Sequence, residues 1–196
     1  MASLLNQQIP TGLWIAQTVG ITASTYLLGA TATLSFIAIP TVMLAPAPLA
    51  AKQWRSVYDR GILVGPPLSI LSTLAIGYLA YNRDRSSTPF KLNVTAAAFL
   101  ASFVPFTFFF IVPTNEALFA KEEQLASASL TDKNVEEGVA EAETTHALID
   151  KWGVVNLGRA ALVAVASVCT VLAALDKREV FKFGSVGLKS GANRLG

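Results

Sequence analysis

Arg159 stands about two helical turns inside a stretch, residues 152–175, that is otherwise apolar enough to cross a bilayer. A charge at that depth costs from ~2.5 kcal/mol on insertion scales to more than ~10 on an isolated helix, so it normally faces a bundle interior and acts there. The chain's single histidine lies just upstream, in His146-Ala-Leu-Ile-Asp150-Lys-Trp152-Gly153-Val-Val-Asn156-Leu-Gly-Arg159. Helical spacing puts His146, Asp150 and Gly153 on one face at i, i+4 and i+7. Asn156 and Arg159 continue down an adjacent strip beside Ile149 and Trp152. Asp150 would orient or charge-stabilise His146 as a base, and Asn156 with Arg159 would donate to a developing negative oxygen. Each residue also has a plainer role: His146 capping a helix in solvent, Trp152 anchoring at the interface, Arg159 snorkelling to the surface.

Four apolar segments, about 13–39, 62–81, 92–112 and 152–175, are long enough to hold these residues across a bilayer. Each ends in a proline, turn or charge signal: Pro40 with Pro46 and Pro48, Arg83-Asp84-Arg85, Pro113, and Asp176-Lys177-Arg178. No stretch has the period of a strand, and an isolated strand in lipid could not satisfy its backbone. The expectation is an all-α integral membrane four-helix bundle over residues 1–176, with an acidic helical connection outside the membrane between spans three and four. A basic cytosolic tail, 177–196, reads as disordered.

The spans carry distinctive linings. Gln17, Gly20, Ser24, Thr31 and Ser35 fall near one face of the first, and Ser69, Thr73 and Gly77 repeat every four residues in the second. Rows of small residues let helices approach closely; they permit self-association into a homo-oligomer without demanding it. The third span holds Phe99, Phe103, Phe106 and Phe110 in a stripe, with Pro105 as a kink point. That stripe is either plain packing or one wall of a pocket for flat rings.

Composition narrows the chemistry. Of 196 residues, 53% are hydrophobic and 14% charged, where soluble domains carry about a quarter charged residues. The first apolar run is too long for a signal-peptide core and reads as a retained span. A net charge of +2 gives no reason to expect nucleic acid. The lone Cys169 excludes an intrachain disulfide, and one histidine argues against a multi-His metal site within one chain.

An even number of spans brings loop one (40–60), residues 113–116 and residues 146–159 to the same membrane face, whichever way the protein is inserted. Those segments hold Trp54, Arg55, Tyr58, Asp59, Arg60, Thr114, Asn115 and the span-four residues. The opposite, terminal side carries eight Lys/Arg against six on the site side, Arg159 excluded, which favours cytosolic termini. The sequon Asn93-Val-Thr95 would then stay unmodified. The long connection after residue 115 is acidic, and its half at 134–148 is good helix material that would fold over the site or lie solvated at the interface.

Together these residues resemble the anthrone oxygenase family of small fungal membrane proteins. The resemblance rests on Ser35-Phe-Ile-Ala-Ile-Pro40, Trp54-Arg-Ser-Val-Tyr58, Pro113-Thr114-Asn115-Glu-Ala-Leu118 and, most specifically, residues 150–159; it covers about 13–175. It implies oxidation of an anthrone-type aromatic polyketide to its anthraquinone by O2 as co-substrate, with no flavin, haem or known metal. On that reading His146 is the base, oriented by Asp150. Arg159 with Asn156 or Asn115 holds the substrate's oxygens. Trp54, Tyr58, Arg60, Phe110, Thr114 and Trp152 complete the substrate site. Residence in the endoplasmic reticulum or derived vesicles follows from the same resemblance. The alternatives are a non-catalytic membrane scaffold or accessory protein, an enzyme of the same fold acting on another phenolic polyketide, and an oxygenase with a metal shared between subunits.

Overall fold

The structure, a computed structural model, describes residues 10–176; the tail expected at 177–196 lies outside them. Four helices, each long and apolar enough to cross a membrane, carry the fold: α1 (Thr11–Val42), α2 (Ala47–Tyr81), α3 (Thr88–Gln124) and α4 (Thr145–Leu175). The chain is an all-α, four-span integral membrane protein. Successive helices pack on each other and α4 closes the ring against α1. Two side-chain caps start helices: Ser87 Oγ accepts from the Phe90 amide at 3.2 Å, and Thr144 Oγ1 accepts from Ala147 at 3.3 Å.

The helices outrun the hydropathy signal on the side of the suspected site. α2 begins at Ala47, so the segment expected as loop one is mostly helix. Hydropathy marks only what lies in lipid. The polar turns carry their own apolar face, with Ala47, Ala51, Trp54 and Tyr58 at helical spacing, which docks Trp54 into the core. α3 likewise runs past the bilayer to Gln124.

The acidic half of the connection differs from the expected helix. Turns occupy most of it, Glu141–Glu143 forms one 3-10 turn, and α4 starts only at Thr145. Gly138 at φ +88° interrupts any helix, and Thr144 is already committed as a cap. Glu136 accepts from the Thr145 amide at 2.9 Å and pairs with Lys121 at 3.3 Å, tying the ends of α3 and α4 together. Leu125 and Val135 pack against Ala47 and Ala51 of α2.

Prolines shape the interior. A proline cannot donate to the carbonyl four residues back. In α1 a π-helical turn, Leu34–Ala38, lies just ahead of Pro40; in α3 another, Thr107–Ile111, lies just ahead of Pro113. Each wide turn absorbs the mismatch. In α2, Pro66 and Pro67 remove two successive ladder bonds. Two apolar clusters result: Trp54, Ile111, Leu118, Ile149 and Trp152 toward the site face, and Leu27, Ile76, Leu100, Phe103 and Val163 deeper.

Candidate active site

Between those clusters lies a cavity of about 630 Å³, within the range of small-molecule sites. α1 contributes Leu27, Thr31 and Leu34; α2 Tyr58, Arg60, Gly65 and Pro66; α3 Phe103, Thr107, Ile111 and Asn115; α4 Trp152 and Arg159. The wall is mainly apolar, and no carboxylate or imidazole belongs to it. Tyr26 and Phe108, which also border it, are 63% and 66% exposed on the bundle's outer surface, so the cavity opens toward lipid.

At the deep end Arg159 is held by a closed set of bonds. Its Nε donates to Asn156 Oδ1 at 3.1 Å, and Nη2 donates to the same oxygen. Asn156 Nδ2 donates to the Thr31 carbonyl and to Ser35 Oγ, both at 2.8 Å, and Ser35 Oγ donates to the Gly153 carbonyl at 2.8 Å. Guanidinium only donates and a backbone carbonyl only accepts, so the amide of Asn156 has one workable orientation. The Arg159 Cζ lies 5.0 Å from the Phe103 ring centroid, a cation–π distance. No carboxylate is within ion-pair distance of Arg159 among the described residues. A positive charge in an apolar wall is thus positioned but not neutralised.

Toward the site face, Trp152 Nε1 donates to Asn115 Oδ1 at 2.8 Å. Indole N–H is donor-only, so that bond fixes Asn115 with its NH2 turned away from Trp152, and Asn115 borders the cavity. Tyr58 stacks on the fully buried Trp54, with ring centroids 5.6 Å apart, and meets Phe119 edge-on at 4.9 Å. Trp54 and Trp152 meet edge-on at 6.3 Å. Trp54 therefore backs the wall without belonging to it. Arg60 borders the cavity and donates to Ser56 Oγ.

The other expected residues lie elsewhere. His146 is outside the wall; its Nε2 donates to the Ala45 carbonyl at 2.9 Å, bracing the turn between α1 and α2. Thirteen residues separate His146 from Arg159, a rise of about 20 Å at 1.5 Å per residue, too far for one tricycle to touch both. Asp150 is exposed, and no hydrogen bond joins it to His146. Thr114 is buried beside Asn115 but does not reach the cavity. Phe110 is 56% exposed and packs on Phe106 at 4.7 Å, because the π turn at Thr107–Ile111 rotates the stripe's end outward. Sequence reasoning missed Thr107 and the Gly61–Pro66 wall. Two adjacent prolines with Gly61 and Gly65 inside an apolar run were the available signal.

Among the described residues, no three His, Cys, Asp or Glu side chains are grouped so as to hold a metal.

The four-span bundle thus holds, among the described residues, a guanidinium without a carboxylate partner at the edge of an aromatic-bordered cavity, the architecture of a small-molecule site in a membrane protein. The comparisons are specific. The anthrone oxygenase family model matches residues 54–169, more than half of the chain, and the chain belongs to that family of monooxygenase enzymes. The match contains α2 from Trp54, α3 and most of α4, hence every cavity residue outside α1. An anthrone oxygenase of Paecilomyces divaricatus is 30% identical over 148 residues, spanning 74% of this chain and 85% of the relative. A monooxygenase of Dothistroma septosporum is 28% identical over 165 residues, 80% of this chain and 84% of the relative. A noranthrone monooxygenase of Aspergillus flavus is 27% identical, covering 79% and 70% respectively. No solved structure matches the chain.

Proposed function

We propose that the protein oxidises an anthrone-type aromatic polyketide to its anthraquinone with O2, using neither an organic cofactor nor a metal. The observation that carries this reading is the buried Arg159 guanidinium, held by Asn156 at the deep end of an apolar cavity wide enough for fused rings. Loss of one proton from the activated CH2 leaves an enolate whose charge rests on the central-ring oxygen. Arg159 pairs with that oxygen, and the low-dielectric wall strengthens the pairing. Water at the Arg60 end, where the wall includes an exposed polar side chain, takes the proton, since the wall offers no carboxylate or imidazole.

The enolate passes one electron to O2, and the resulting radical pair joins in a C–O bond at the former CH2 carbon. The peroxide anion takes a proton back from water, and the hydroperoxide then loses water as its O–O bond and the remaining C–H bond break, leaving the second ring carbonyl. The balance is anthrone plus O2 giving anthraquinone plus water. The CH2 carbon supplies all four electrons, so no external reductant is required. Phe103, Tyr58 and Trp152 offer the ring surfaces, and Asn115 a second donor. His146 acts at a distance, by bracing the α1–α2 turn. Residence in the endoplasmic reticulum or derived vesicles, termini in the cytosol, suits a substrate that partitions into lipid.

The test is turnover of an anthrone by protein in nanodiscs after treatment with a metal chelator. Under 18O2 the quinone gains one labelled oxygen, and under N2 no quinone forms. Activity lost on chelation and restored by a metal would overturn the cofactor-free chemistry. Absence of O2-dependent quinone would overturn the activity.

A further inference from the structure

We infer that the substrate carries a carboxylate on an outer ring and that Arg60 selects for it. This rests on the activity proposed above and specifies its substrate class. Among the described residues the cavity wall contains two guanidinium groups, Arg159 and Arg60, and no acidic side chain. The nearest acid in sequence, Asp59, is engaged: Arg55 Nε donates to its two carboxylate oxygens at 3.0 and 3.2 Å. Arg60 is bonded only to the neutral Ser56 hydroxyl, so its charge is open to an anion. One enolate oxygen can neutralise only one of the two cations.

The separation fits a single guest. Phe103 lies between Arg159 and Gly65: its ring is 5.0 Å from the Arg159 Cζ, and a Cβ on Gly65 would sit 3.7 Å from its Cζ. Gly65 therefore marks the level of Arg159 on α2. Arg60 lies five residues nearer the site face, and its guanidinium reaches back to Ser56, nine residues from Gly65, a rise of about 13.5 Å that a central-ring oxygen, an outer-ring carboxylate and a hydrogen bond at each end can span. It also stands just ahead of the apolar stretch of α2, where a charged group can stay at the interface while the rings sink among Phe103, Ile111 and Trp152. A guanidinium fork binds a carboxylate through two parallel hydrogen bonds, which separates a carboxylate from its uncharged ester.

The experiment compares kcat/KM for three anthrones identical except for an outer-ring carboxylate, its methyl ester, or hydrogen. The wild-type protein should prefer the carboxylate over the ester by about tenfold or more. Arg60→Gln should shrink that ratio at least about tenfold, Arg60→Lys should restore part of it, and the exposed Lys52→Gln should leave it as in wild type. A wild-type protein turning over all three equally overturns the inference while leaving the proposed activity standing, and needs no variant to fold. An Arg60→Gln ratio equal to wild type overturns it too. If none of the three yields quinone, the activity itself fails and this inference with it.

Discussion

At the scale of single residues, the structure separates two side chains of α4, His146 and Arg159, that the sequence places in one site. A histidine beside an aspartate invites a base assignment, yet the His146 ring spends its Nε2 proton on the Ala45 carbonyl, and Asp150 faces outward. Arg159, which the same reading turns toward the bundle interior, is tied to Asn156 and lies against Phe103 rather than snorkelling. The depth of Arg159 was legible because a charge among apolar neighbours is conspicuous. The reach of His146 was not, since spacing fixes the face of a helix and says nothing of which carbonyl a neighbouring turn presents. His146→Ala should therefore lower stability by about 1 kcal/mol, the loss of one hydrogen bond, and leave kcat/KM for an anthrone within a few-fold of wild type. Thermal unfolding and initial rates in nanodiscs measure the two effects. Loss of turnover at unchanged stability would return the histidine to the chemistry.

At the scale of the helices, the cavity is a consequence of backbone defects. The π turns before Pro40 and Pro113 and the Pro66-Pro67 pair all occur where α1, α3 and α2 border it. The prolines were plain in the sequence and the four spans followed from hydropathy. The π turns had no signature of their own, and they decide which aromatics face inward: Phe103 does and Phe110 does not. α4 fits this shape only where it lacks side chains. A Cβ at Gly158 would come 2.6 Å from Phe106 Cζ, and one at Gly153 would come 3.1 Å from Ile39 Cγ2. Gly158→Ala should cost about 1–3 kcal/mol through overpacking, and Phe106, which packs on Phe110, must give way. Denaturation of the variant in nanodiscs checks this, and a stability equal to wild type would show that the contact is soft.

At the scale of the whole molecule, the helices divide into a part that crosses lipid and a part that projects beyond it on one side. The cavity is bordered by Arg159 of α4 and by Asn115 of α3. Convergence of the three segments at one face followed from the even number of spans and is seen in the Trp152–Asn115 and His146–Ala45 bonds. The end of the acidic connection was misread as helix because composition alone could not register the cap at Thr144 or the backbone at Gly138. Cytosolic termini would keep Asn93, 1% exposed within the bundle, unglycosylated; a gel shift of the native protein on endoglycosidase treatment would reverse that orientation. The central claim is that the buried guanidinium stabilises an anionic guest. Anaerobic spectroscopic titration of an anthrone bound to the protein in nanodiscs tests it most directly. Bound substrate should ionise at lower pH than free substrate, and Arg159→Gln should abolish the difference while still binding. An ionisation pH unchanged on binding, or shifted equally in wild type and variant, would contradict it.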